Sequence, residues 1–284
     1  MPTLSRRLPT ALLTTFAAVA LALAATPATA LAAPAAPALA VADLTATIRL
    51  SNCSASLVRY PTSLGSDQAM MLTNGHCFEG GFLPAGQVIT NRASTRRGTL
   101  LSSSGSSLLG VTADRVLYAT MTGTDVLLYR LTRTYASIQA ITGVTARTIA
   151  SSHPAPADTF VPSGYFARVF DCDVHTFVPT LREDQWTWHD SIRFADGCAT
   201  IPGTSGSPII SAATGELVGI NNTSNESGQS CTLDNPCEVA DDGSATVVQG
   251  RRYGQQTYWF TTCLTAGRTI DLTLAGCLLT RPTA

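Results

Sequence analysis

Lysine is absent from this 284-residue chain, and all 18 basic residues are arginine. This is a compositional bias with no functional reading of its own. Charge is scarce: charged residues make up 13% of the chain and the net charge is −1. No field of either sign therefore argues for nucleic acid or a membrane surface as partner. No Cys-x-x-Cys pair occurs, and no cysteine cluster sits beside a histidine pair at zinc spacing, which argues against a metal role for the cysteines. Nothing like an EF-hand calcium loop is present. Helix signals are few, internal repeats are absent, and only Ser102–Ser107 approaches low complexity.

The one long apolar run lies at the N-terminus. Arg6 and Arg7 precede an almost wholly apolar stretch, Ala11 to Ala25, and Ala28-Thr29-Ala30 follows with small residues. These are the three parts of a secretory signal peptide, residues 1–30, with cleavage expected after Ala30. The run falls short of the about 20 residues that a membrane span requires. Arg6-Arg7 also fits a twin-arginine export signal, although two arginines there are more commonly ordinary n-region charge. Residues 31–42 are mostly Ala and Pro and read as a linker or short pro-segment, which leaves residues 43–284 as the folded domain. Eight cysteines, all after residue 30, fit an oxidising, extracellular destination and four disulfides.

Short β-branched or alternating runs recur between Gly, Ser, Asn and Pro clusters. They include Ala46–Leu50, Ala55–Tyr60, Met70–Thr73, Gln87–Asn91, Arg115–Thr120, Asp125–Leu131, Gly164–Phe170, Pro208–Ser211, Glu216–Asn221 and Ala245–Val248. This is the pattern of an all-β sandwich or barrel protein. Helix is expected only at Trp259–Leu264 and near Ile270–Leu279. A Ser/Pro-rich stretch at 148–162 suits a connection crossing between two β halves. His153, within it, reads as solvated, His175 and His189 as structural or surface residues, and Glu183-Asp184 and Asp241-Asp242 as solvated loop charges.

Three segments carry chemistry. Gly203-Thr204-Ser205-Gly206-Ser207-Pro208 flanks one hydroxyl with flexible residues. A serine that attacks a carbonyl creates an oxyanion, which needs inward-pointing backbone N–H donors, here those of Gly203 and Ser205. Leu72-Thr73-Asn74-Gly75-His76-Cys77 ends an apolar strand in a turn that presents a histidine. Histidine is the side chain whose pKa suits a base for a serine hydroxyl, and a disulfide at Cys77 would fix its backbone. At Asp125-Val126-Leu127-Leu128 an acid heads an apolar strand, and burial there demands a partner such as the histidine ring. Each segment alone has an ordinary structural reading, as a surface turn, a core histidine or an edge aspartate.

Together, in the order His, Asp, Ser, they resemble the chymotrypsin-like serine peptidase family. Thr73–Cys77 resembles that family's Thr-Ala-Ala-His-Cys, and Cys53-Ser54-Ala55-Ser56-Leu57 its Cys-Gly-Gly-Ser-Leu strand. Asp125–Leu128 resembles Asp-Ile-Ala-Leu, and Gly203–Pro208 resembles Gly-Asp-Ser-Gly-Gly-Pro. The likeness runs from about Ile48 to Asn222. It implies two packed antiparallel β-barrels with the active site in the cleft between them, a catalytic triad of His76, Asp125 and Ser205, an oxyanion hole at Gly203 and Ser205, and a Cys53–Cys77 bridge. It implies no cofactor, no metal and a monomeric enzyme acting on protein or peptide substrates. Cys231–Cys237 would close a turn-prone loop, Cys263–Cys277 would be the C-terminal bridge, and Cys172–Cys198 would brace the loop before the serine, with Cys198–Cys231 as the alternative.

Departures from the pattern carry information. Thr204 stands where digestive members carry an aspartate that pairs with a newly cleaved N-terminus, so activation by that ion pair is not expected. Thr-Ser-Gly-Ser-Pro is similar to the bacterial secreted, glutamyl-endopeptidase-like branch. Ala199 stands at the trypsin-type acidic floor position, and with Thr200, Asn221 and Asn222 it implies a neutral, partly polar substrate pocket. Leu127 replaces a small Ala, so packing beneath the acid should differ. The rival readings are a secreted binding protein with a vestigial triad on this fold, and an α/β-hydrolase esterase, which would need the order Ser, acid, His.

Overall fold

The computed structural model describes Pro2 and residues 39–282. Apart from Pro2, the expected signal segment lies outside the described residues, as does all but residues 39–42 of the linker. Eight strands form the first sheet: β1 (Thr47–Arg49), β2 (Ser54–Arg59), β3 (Gln68–Thr73), β4 (Val88–Ala93), β5 (Arg97–Leu101), β6 (Ser107–Thr120), β7 (Val126–Thr134) and β8 (Arg147–Thr148). Their order is β1-β5-β6-β7-β3-β2-β8, with β4 paired to β6, and β1 also pairs with β2, so six strands close into a barrel. Nine strands form the second sheet: β9 (Thr159–Ser163), β10 (Arg168–Asp171), β11 (Val174–Glu183), β12 (Trp186–Phe194), β13 (Pro208–Ser211), β14 (Leu217–Ser224), β15 (Cys237–Val239), β16 (Ala245–Thr246) and β17 (Arg252–Gln256). The order β9-β13-β14-β17-β12-β11 is brought round on itself by a bridge between Ala157 and Val174. The molecule is thus all-β, with two packed antiparallel barrels.

The continuous apolar runs of β3 and β7 follow from this packing, because both faces of these strands are buried. Ala69, Met71, Leu127, Tyr129 and Leu131 point into the first barrel. Met70, Leu72, Val126 and Leu128 face outward against Phe160, Ile210, Leu217 and the C-terminal aromatics Trp259 and Phe260. A strand buried on both sides shows no polar alternation. The second barrel encloses Val161, Ile192, Phe194, Ile209 and Val218.

Two helices complete the fold. Helix α1 (Tyr135–Thr142) was not legible as a helix in the sequence; it starts at Thr134, whose side chain accepts from Ser137 N, and stops at Gly143 in the left-handed conformation. Helix α2 (Trp259–Thr262) falls within the expected helical segment. The expected helix at Ile270–Leu279 is not formed. That tail is tied back instead, by an Ile270–Leu264 bridge, the Cys263–Cys277 disulfide and an Asp271 side chain that accepts from Thr273 N. Gly164–Phe170 is likewise a turn at its start, and β10 begins only at Arg168. The other bridges are Cys53–Cys77, Cys172–Cys198 and Cys231–Cys237.

Leu127 is fully buried in the first barrel, two residues after Asp125. Leu127→Ala should leave a cavity there and cost about 2–5 kcal/mol of unfolding free energy, measured by urea titration. A loss below about 1 kcal/mol would mean that the barrel interior closes around the smaller side chain.

Candidate active site

The turn that presents His76 is built around Asp125. Asn74 stands at the N-cap position of a short 3-10 turn over Gly75–Cys77 and donates through Nδ2 to Asp125 O at 2.9 Å. Gly75 brings this turn close to the neighbouring chain: a Cβ there would meet Thr120 O at 2.1 Å and Asp125 Oδ1 at 2.8 Å. The family's alanine is therefore excluded at this position. The Asp125 side chain is fully buried and accepts twice from one residue, from His76 N at 3.0 Å and His76 Nδ1 at 2.7 Å. A carboxylate only accepts, so Nδ1 carries the proton and the neutral ring keeps its lone pair on Nε2.

The second barrel reaches across to hold the loop in front of Asp125. Gly123 N donates to Thr187 O and His189 N to Gly123 O, at 3.0 and 2.9 Å. Trp188 Nε1 donates to Met121 O and Trp186 Nε1 to Leu83 O. The β11–β12 hairpin, which the strand reading missed, is what joins the barrels at the site.

Ser205 sits on a loop gripped from both sides. Ser205 O accepts from Ser54 N at 2.8 Å, and Ser54 O accepts from Thr73 Oγ1 at 2.7 Å. Gly206 follows with φ +76°, and a Cβ there would lie 2.2 Å from Ser54 O, so only glycine permits the two chains to approach this closely. Thr204 donates through Oγ1 to Ile201 O at 2.6 Å and accepts from Asn221 Nδ2 at 3.1 Å. Among the described residues, the amides of Gly203 and Ser205 donate to no protein group, which leaves both free for an oxyanion.

His76, Asp125 and Ser205 line one cleft between the barrels, with Thr200, Asn221 and Asn222. Ser205 Oγ donates to Asn222 O at 3.3 Å; no hydrogen bond joins it to His76 among the described residues. Catalytic hydrogen bonds of this kind are often formed only when substrate is bound. Ala199 does not line the cleft. Cys198 turns inward to its disulfide, so the next residue faces solvent and Thr200 turns back in. The rim carries the exposed apolar side chains of Phe82, Ile201 and Leu233. Phe82 meets the His76 ring edge-on at 5.9 Å.

Glu183 overturns its reading as a solvated charge. It is 5% exposed, lines the cleft, and accepts from Thr223 Oγ1 at 2.6 Å and from Asp234 N at 3.0 Å. Burial pushes its carboxyl up to about 7, against those hydrogen bonds and the attraction of His76. For His76, partial burial disfavours the charged ring. The Asp125 charge and hydrogen bond, with Glu183 and Asp234 behind them, outweigh it and raise the pKa above 6.5. Only tertiary structure could expose Glu183, because its partners lie 40 and 51 residues downstream.

A model of the trypsin-like peptidase domain matches residues 62–220, more than half of the chain and inclusive of His76, Asp125 and Ser205. The chain belongs to this family, whose members are serine-type peptide hydrolases. No curated protein matches the sequence. Among solved structures it is similar to the MamO protease domain from Magnetospirillum magneticum, at 14% identity over 76% of this chain and 93% of that one, with a TM-score of 0.45. It is also similar to a thermostable serine protease, AL20, from an extremophilic microorganism (14%, 76% and 91%, 0.42), and to a Nocardiopsis protease (15%, 75% and 90%, 0.41).

A buried carboxyl that titrates near 7, against its ordinary 4.5, binds its proton more tightly in the folded state. Its contribution is then fully present below pH 4.5 and is lost as pH rises through about 7. Glu183→Gln removes this dependence. The melting temperature of the variant relative to wild type should rise between pH 5 and pH 8, and an offset that stays constant across that range would rule out the assigned titration.

Proposed function

We propose that this chain is a secreted serine endopeptidase in which residues 43–284 are the catalytic domain, released from a signal segment at residues 1–30. Ser205 attacks the substrate carbonyl and forms an acyl-enzyme. His76 takes the serine proton and returns it to the leaving amine, Asp125 holds the ring in the required tautomer, and the amides of Gly203 and Ser205 take the oxyanion. The observation that carries this reading is the Asp125–His76 pair, with its buried carboxylate and oriented ring, in one cleft with a serine whose flanking amides are free.

Export is supported by four disulfides and by the absence, among the described residues, of any helix long and apolar enough to cross a membrane. The Thr204 hydrogen bonds support an enzyme that needs no ion pair from a new N-terminus, because neutral groups already fix the loop before Ser205. A non-catalytic binding protein on the same fold is the second reading, favoured by a Ser205 hydroxyl that donates to Asn222 O and, among the described residues, makes no hydrogen bond to His76.

Labelling of the purified mature protein with a fluorophosphonate separates the two. Native wild type should react, while Ser205→Ala and heat-denatured protein should not. Asp125→Asn should lower kcat by ~10⁴-fold on a peptide substrate. Activity needs neutral His76, so kcat/KM should fall as pH drops through a value above 6.5. A folded, mature sample that does not label would favour the binding protein.

A further inference from the structure

The charges that line the cleft are unbalanced. Asp125, Glu183, Glu226 and Asp234 all contribute to its wall; among the described residues no arginine does, and His76 is the sole group there able to carry positive charge. Asp125 is committed to His76. Glu183, Asp234 and Glu226 remain, in a protein whose net charge is only −1.

Their placement relative to Ser205 is defined by β14. On the β13 side, backbone hydrogen bonds reach β14 as far as Asn221, which donates to Ser207 O and accepts from Gly206 N, and β17 covers the opposite edge through Ser224. Residues 222–224 therefore present an unpaired edge that starts at Ser205 and passes Thr223. A bulge at Asn222 interrupts the β17 register there. Both amide atoms of Asn222, which is 4% exposed and lines the cleft, have no partner among the described residues. Unsatisfied buried groups of this kind are costly unless something binds to them. Every strand pair of the second sheet is antiparallel. A peptide added to this edge in the same sense places the residues that precede its scissile bond beside Thr223 and Ser224. Thr223 is the residue whose hydroxyl holds Glu183.

The wall beyond is a stapled loop. Cys231–Cys237 closes Thr232–Pro236, Asp184 N donates to Cys231 O, and Asp234 N donates to Glu183 Oε1. The loop thereby presents Leu233 and Asp234 to the cleft while it fixes Glu183.

We propose that Glu183 and Asp234 select substrates with a cationic side chain, Arg or Lys, on the acyl side of the scissile bond, next to the residue that is cleaved. The proposal rests on the peptidase reading and deepens it. Glu183 is the buried member of the pair and Asp234 the exposed one. The charged groups that face or flank Glu183 are His76, Asp125, Asp234 and Glu226 across the cleft, and Arg182 and Asp184 on its own hairpin. Glu183 ionises as pH rises through about 7, so discrimination should strengthen from pH 6 to pH 8.

The test compares fluorogenic peptides that carry Arg, its neutral isostere citrulline, or Glu at each position before the scissile bond. They are assayed with the mature protein and with Glu183→Gln and Asp234→Asn, and each preparation is also titrated with a fluorophosphonate. Wild type should prefer Arg to citrulline on the order of tenfold in kcat/KM at the position next to the cleaved residue. Glu183→Gln should bring that ratio near unity with its fluorophosphonate labelling retained, and Asp234→Asn should lower it partly. Full labelling with no preference for Arg, or with a preference that survives both substitutions, overturns the cation proposal alone. Failure of wild type to label overturns the peptidase reading and this inference with it.

Discussion

The burial of one carboxylate constrains everything around this site. Asp125 is removed from water entirely, and an ionised carboxylate in that position is tolerable only if its lone pairs are filled. Two N–H groups of the same residue, His76, fill one oxygen each. The backbone donor holds the carboxylate in place and the ring donor uses it to choose a tautomer. Because both donors belong to one residue, the turn must bring main chain and side chain to Asp125 together, and hence it is tight, headed by Asn74 at its N-cap position and closed on Gly75. The Cys53–Cys77 bridge anchors the next residue to the turn that precedes Ser54 and β2. The electrostatic requirement thus fixes the local backbone.

The same strand start connects the first barrel to the nucleophile. Ser54 donates its amide to Ser205 and takes the Thr73 hydroxyl on its carbonyl, so the histidine strand, the Cys53 turn and the serine loop share one hydrogen-bond chain across the barrel boundary. From the other side, β12 pairs with Gly123 beside Asp125. Each barrel therefore fixes a segment of the candidate site carried by the other. The Thr204 lock is neutral and local, which means that the loop conformation does not depend on a charged terminus arriving from elsewhere.

The sequence made the chemistry legible where it is encoded locally. The strand–turn–His, Asp–strand and Gly-x-Ser-Gly segments each carry their own backbone demands, and the structure brings all three to one cleft. It was opaque where a role depends on distant partners. Glu183 stands in a run of polar residues at a hairpin tip, and its burial is created by Thr223 and by a disulfide loop far along the chain. Ala199 was placed by counting back from the serine, but the alternation set by Cys198 turns it outward. The tail Ile270–Leu279 has helical composition, yet its disulfide and its bridge to Leu264 hold it in turns. Strands β11 and β12 were missed because polar residues interrupt their alternation, and their pairing with each other and with β17 supplies what periodicity did not show.

Acid and base in this cleft are electrostatically coupled. Glu183 raises the pKa of His76, and a charged His76 favours ionised Glu183, so the two titrations are coupled. A cationic substrate group beside Glu183 would act on both members. It would favour the ionised carboxylate and disfavour a proton on the imidazole. Binding would then favour the neutral histidine that the reaction requires. Without substrate, the surrounding carboxylates favour the protonated ring, which could not serve as the proposed base, as pH falls. An acidic wall beside the proposed general base would be a handicap in the empty cleft, and the cationic substrate proposed above would relieve it.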